Sequence, residues 1–149
     1  MTSTPWLKLK RTVRFSDTDA AGVVHFQEIL GWCHQAWEES LERYGVDAGL
    51  VFPGGRHPNP SIALPIVHCK ADFHAPLCTG DVVLIRLEPR RINLGCFEVF
   101  SQFQLGGKQV ADGCLRHVAI DATTRSRCQL PDAVERWLEA SSIGQINPL

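Results

Sequence analysis

The run Asp17-Thr18-Asp19-Ala20-Ala21-Gly22-Val23-Val24-His25-Phe26 concentrates the residue types of a reactive site. Two carboxylates are followed by small residues that let the backbone turn tightly, and then by the start of a helix. A helix N-terminus leaves its first N–H groups unpaired and carries partial positive charge. Such a site can hold a polarised carbonyl oxygen while a nearby carboxylate attacks it or activates water. Asp ahead of a helix is also a common N-cap, so capping by Asp17 or Asp19 stands beside catalysis as a reading of the pair.

The elements on either side must aim this loop. Before it, Leu7 to Phe15 alternates apolar and polar side chains over most of its length, which is strand periodicity. After it, Phe26, Ile29, Leu30, Cys33, Trp37, Leu41 and Tyr44 recur at spacings of three and four, so they line one face of a helix from Phe26 to Tyr44. Gly45 suits a left-handed C-cap. These residues make a helix of roughly 28 Å, the one long helix expected. The stretch 51–60, carrying Arg56 and His57, is a loop by its prolines and glycines. The rest is β-rich. Strand pieces are expected from Ile62 to His74 with a break at Pro65, from Val82 to Glu88, from Cys96 to Leu105 and from Gln109 to Asp121. Gly106-Gly107 reads as a two-residue hairpin turn, and Gly113 as a bulge. Pro131 opens a short helix, Asp132 to Ala140. A long helix followed by an antiparallel meander is an α+β pattern.

Composition narrows the function classes. The chain, residues 1–149, reads as a single domain. With 44% hydrophobic residues it can build an ordinary core. A net charge of −1 gives no electrostatic case for nucleic acid or an anionic membrane. No apolar run approaches the roughly 20 residues that span a bilayer. The N-terminal residues lack an apolar signal region, which points to the cytoplasm. The cysteines, Cys33, Cys69, Cys78, Cys96, Cys114 and Cys128, show no CxxC spacing, so reduced thiols are expected. Neither they nor the six histidines form a metal-ligand pattern, and no metal is expected.

The loop motif resembles that of the 4-hydroxybenzoyl-CoA thioesterase family of hotdog-fold enzymes. The family pattern is an acidic residue, one spacer, the catalytic Asp, two small residues, Gly, two apolar residues and then the helix. The resemblance continues through Phe26-Gln27-Glu28-Ile29-Leu30-Gly31-Trp32-Cys33-His34-Gln35-Ala36-Trp37-Glu38-Glu39-Ser40-Leu41-Glu42. There it is similar to the branch that hydrolyses 1,4-dihydroxy-2-naphthoyl-CoA in phylloquinone synthesis. In element order it covers nearly the whole chain; the specific motif covers about the first third. It implies a hotdog fold, one long helix wrapped by a curved antiparallel sheet. It also implies a homotetramer built as a dimer of dimers, with substrate bound between two subunits.

Laid on this chain, the resemblance makes Asp19 the catalytic carboxylate and leaves Asp17 to structure, pairing with Arg14 or capping the loop. The backbone N–H of Phe26, aided by Val24 or His25, takes the role of carbonyl polariser. The Phe26 side chain can pack in the core meanwhile. Gly22 allows close backbone approach to the ligand. His25 stands where the hydroxybenzoyl enzyme has an aromatic residue, and either contacts a hydroxylated ring or caps the helix. A thioester is already activated, so neither a metal nor a cofactor is expected beyond the coenzyme A of the substrate itself. The phosphates of coenzyme A call for basic residues, and Arg90 with Arg91 or Arg125 with Arg127 are the candidate clusters. Three other functions are open to the same residues. An aliphatic acyl-CoA thioesterase would carry a nearly identical motif, and only Trp32, Trp37 and the His25-Phe26 pair favour an aryl group. A hotdog hydratase would want an Asn-Pro dipeptide in the loop. A non-catalytic acyl-CoA sensor would not need Asp19.

Overall fold

The computed structural model describes residues 4–142. Alternating side chains build its main sheet. In β4 (Val82–Asn93), Val83, Ile85 and Leu87 are buried while Arg86, Glu88 and Arg90 are exposed, the two-residue period of a sheet with one covered face. β1 (Lys8–Thr12), β4, β5 (Cys96–Leu105), β6 (Lys108–Val118) and β3 (Ile66–Phe73) join in the order β1-β4-β5-β6-β3, every pair antiparallel. The short strands β2 (Ile62–Ala63) and β7 (Ile120–Asp121) pair separately. Pro65 lies between β2 and β3, where the sequence expects a break. Gly106 and Gly107 join β5 to β6 with φ of 58° and 81°, the two left-handed positions that a tight hairpin turn needs.

Helix α1 (Phe26–Tyr44) lies across one face of this sheet. Ile29, Trp32, Cys33, Ala36, Trp37, Ser40 and Leu41 are its buried residues, and Gly45 ends it at φ 111° with its N–H shared by the Leu41 and Glu42 carbonyls. Helix α2 (Asp132–Ser142) packs against β4 and α1. Its Trp137 is fully buried and donates from Nε1 to the Ser40 hydroxyl at 3.0 Å. One apolar cluster joins both helices to the helix-side face of the sheet. This is the arrangement that the resemblance implies.

Three local expectations are corrected. The strand read from Leu7 to Phe15 is confined to Lys8–Thr12, because the Asp17 carboxylate accepts the Arg14 N–H at 2.8 Å and folds Phe15–Asp17 into a 3-10 turn. Asp17 therefore meets the Arg14 backbone rather than its guanidinium. Gly113 is no bulge: its register with Ser101 and Ala71 is unbroken, and a Cβ there would come within 2.6 Å of Cys33 Sγ on α1. The glycine lets the helix sit close to the sheet. Trp32 and Trp37, read as marks of an aryl substrate, are core residues 2% and 1% exposed.

Candidate active site

Backbone hydrogen bonds fix the loop between β1 and α1. Asp19 N–H donates to Val23 O at 2.9 Å, and Gly22 N–H donates to Asp19 O at 3.0 Å. Gly22, at φ 79°, takes the left-handed conformation that closes this turn. The loop is tied down at two further points. His25 N–H donates to Asp17 O and Val24 N–H to Leu77 O, both at 2.9 Å. The Asp19 side chain is exposed, and its Oδ1 accepts the Ala21 N–H at 2.9 Å. That bond orients the carboxylate and leaves Oδ2 with no hydrogen bond among the described residues.

His25 caps α1. Its backbone is extended, its Nδ1 accepts the Gln27 N–H at 3.2 Å, and its carbonyl accepts the Glu28 N–H at 2.9 Å. The Phe26 N–H, first in the helix, finds no acceptor among the described residues. An unpaired donor at the positive end of a 19-residue helix is suited to a carbonyl oxygen that gains negative charge.

Asp19, Val24 and Phe26 line one cleft of about 420 Å³. Its other walls come from Ile29 on α1, from Phe73 at the end of β3, from Ala75 to Leu77 and from Ala111 on β6. Asp19 is the only ionisable residue lining it among the described residues. The arrangement is a mainly apolar cleft whose lining includes one carboxylate and the residue that carries the free helix N–H. It can receive an apolar acyl group, polarise its carbonyl and present an oxyanion to the reacting carbon. Phe26 departs from core packing: its side chain is 59% exposed, and its ring stacks on His25 at 4.4 Å between centroids. His25 thus caps the helix and braces that ring; it does not line the cleft.

The basic candidates lie elsewhere. Arg90 and Arg91, near the end of β4, line a trough of about 1020 Å³ beside α2 with Lys70 and Arg116. Arg91 reaches Glu135 at 3.2 Å. Arg90 and Arg116 both bind the Glu98 carboxylate. Burial works to raise that carboxyl's pKa, but hydrogen bonds from the two guanidiniums hold it below the ordinary range. Arg125 and Arg127 are exposed in the turn after β7. Its Asp121 accepts the N–H groups of Thr124 and Thr123, which hold that carboxyl below its usual value. None of the four arginines lines the Asp19 cleft of its own chain, and neither does Arg56 or His57. The cysteines are free thiols among the described residues. Burial pushes the Cys33 thiol up to about 12, which removes it as a nucleophile.

Comparisons with known proteins give the family. Residues 13–138 match the model of the thioesterase-like superfamily. The chain belongs to that superfamily, and its fold is the hotdog arrangement of thioesterases. It is 69% identical over 149 residues to a 1,4-dihydroxy-2-naphthoyl-CoA hydrolase of Synechococcus sp. (strain CC9605), covering 100% of both chains. A putative thioesterase from Prochlorococcus marinus str. MIT 9313 superposes with a TM-score of 0.90 at 51% identity, over 91% of this chain and 96% of the other. A 1,4-dihydroxy-2-naphthoyl-CoA thioesterase from Synechocystis superposes with a TM-score of 0.77 at 27% identity, over 89% and 94%.

Proposed function

We propose that this chain hydrolyses 1,4-dihydroxy-2-naphthoyl-CoA to 1,4-dihydroxy-2-naphthoate and coenzyme A, a step of phylloquinone biosynthesis in the cytoplasm. The observation that carries the chemistry is the apolar cleft whose lining, among the described residues, holds a single carboxylate, Asp19, together with Phe26, whose N–H is unpaired. The activity of the relatives supports the acyl group. The Phe26 N–H, at the positive end of α1, binds the thioester oxygen and stabilises the charge that grows there. Asp19 either attacks the carbonyl carbon or takes a proton from the water that does. On the first route the C–S bond breaks, coenzyme A leaves as a thiolate that picks up a proton, and water then cleaves the acyl-aspartyl anhydride. On the second route water adds directly and its proton passes through Asp19 to the leaving sulfur. Neither route calls for a metal or a cofactor.

The same reading places the working site in a homotetramer, a dimer of dimers. β3 is a sheet edge carrying exposed Ile66 and Val67, and unpaired edges of this kind are commonly closed by a second copy. The cleft lies at the end of that strand. In such an assembly the substrate's phosphates are held by arginines of Arg90 with Arg91 or Arg125 with Arg127. A thiol-release assay over dihydroxynaphthoyl-, benzoyl-, hexanoyl- and palmitoyl-CoA tests the reading. The naphthoyl ester is expected to give the highest kcat/KM. An aliphatic ester that matched it would replace the aryl substrate and leave the Asp19 chemistry in place. No thiol release from any ester would make the protein a binding module instead.

A further inference from the structure

We propose that Phe73, at the end of β3, sets the preference of the cleft for a flat aromatic acyl group, by giving that group an exposed ring to pack on. The inference rests on the thioesterase reading of the site and adds a specificity residue to it.

Strand register places Phe73 on the helix side of the sheet. It pairs with Ala111, which pairs with Phe103, and both of those are buried beneath α1, at 1% and 0% exposed. A phenylalanine in that row would normally be covered as well. Phe73 is instead 50% exposed, and Phe26, 59% exposed, lines the same cleft. Ala75 and Ala111, with short side chains, line it as well. A cleft with two exposed aromatic rings and two alanines in its lining suits a planar group, which packs there without loss of rotamer freedom, whereas a flexible chain loses conformational entropy to fit there. The aryl ring of the substrate is bonded directly to the carbonyl carbon that the Phe26 N–H holds, so it enters the cleft that Phe26 and Phe73 both line. The Phe26 wall is braced by its stack on His25, whose Nδ1 is fixed by the Gln27 N–H. Phe73 is the wall that a substitution can change without touching the helix cap.

The test compares wild type with Phe73→Leu and Phe73→Tyr, using dihydroxynaphthoyl-CoA and hexanoyl-CoA as probes. In Phe73→Leu the ratio of kcat/KM for the naphthoyl ester over the hexanoyl ester is expected to fall about tenfold, mainly through KM for the naphthoyl ester. Phe73→Tyr, which keeps the ring, is expected to restore the ratio. Size-exclusion chromatography and thermal melting of both variants accompany the kinetics. An unchanged ratio in a folded Phe73→Leu variant overturns the proposal. A parallel loss on both esters with a change of oligomeric state overturns it too, because Phe73 would then belong to a subunit contact. A wild-type preference for hexanoyl-CoA removes the aryl substrate itself. That outcome appears in the wild-type column, apart from any effect of the substitution.

Discussion

Asp19→Asn separates the carboxylate from everything else the loop does. The amide is nearly isosteric, and its oxygen can still accept the Ala21 N–H that Asp19 Oδ1 accepts, so the turn is retained. It can be neither nucleophile nor base, and kcat is expected to fall by about a hundredfold or more in a stopped or continuous thiol-release assay. Near-normal turnover would remove Asp19 from the mechanism. Asp17→Asn is the matched control, because Asp17 Oδ2 only accepts the Arg14 N–H of the 3-10 turn. A lowered melting temperature with little change in turnover is expected there. Residue by residue, the sequence is most informative where the site is contiguous. Asp19, Val24 and Phe26 fall within eight positions, and motif spacing alone groups them. Phe73, Ala75 and Ala111 arrive through β3 and β6 pairing, and no local pattern marks them as cleft walls. The arginines show the opposite difficulty. Their charge is plain in the sequence, but strand phase decides which face they occupy, and it turns Arg90 toward Glu98.

Among the elements, the contact between α1 and β6 is set by one absent side chain. A Cβ on Gly113 would lie 2.6 Å from Cys33 Sγ and 3.4 Å from the Lys70 carbonyl oxygen. Gly113→Ala is therefore expected to lower the stability by about 1–3 kcal/mol, read as a shift of the urea midpoint, because helix or sheet must move to admit it. An unshifted midpoint would show that α1 lifts from the sheet at no cost. At the start of the same helix, His25→Asn keeps a side chain able to cap, so stability should hold within about 1 kcal/mol. The variant loses the ring stacked on Phe26, and KM for an aryl ester is expected to rise. An unchanged KM would mean that the Phe26 ring needs no brace. Helix α1 itself is legible from sequence to both ends, because apolar spacing, a polar N-cap and Gly45 agree. β1 is less so, since the Asp17 carboxylate, two residues past the alternating run, accepts the Arg14 N–H and ends the extended chain early. Gly113 misleads for a related reason: a glycine within a strand signals either a bulge or a close neighbour, and only the packing of Cys33 decides between them.

On the scale of the whole molecule, the buried histidine and the free sheet edge make separate demands. His117 is fully buried, donates from Nδ1 to the Leu64 carbonyl at 3.1 Å, and has an Nε2 with no partner among the described residues. Burial pulls its pKa down to about 4, the Leu64 bond opposes the shift, and nearby His34 adds to it. A folded pKa below the unfolded one means that the neutral ring favours folding. Stability is therefore complete above about pH 6.5 and declines as pH falls toward 4, by at most roughly 3 kcal/mol. Urea midpoints taken between pH 7 and 4.5 should show the decline, and His117→Phe should flatten it; an equal slope in both would assign the acid sensitivity to other groups. The edge bears on activity. The main sheet ends at β3, whose Ile66 and Val67 are 45% and 50% exposed, and the Asp19 cleft opens at the far end of the same strand, beside Phe73. If a second copy pairs along β3, the partner lies against the mouth of the cleft and closes the acyl slot that one chain leaves open. Val67→Lys places a charge in that edge, where its desolvation opposes pairing. The variant is expected to run as a smaller species by light scattering and to lose most of its thioesterase activity, while its melting temperature shows that the single chain still folds. A dissociated Val67→Lys variant that kept full kcat/KM would show that one chain's walls suffice to hold the acyl group and that the edge serves assembly alone.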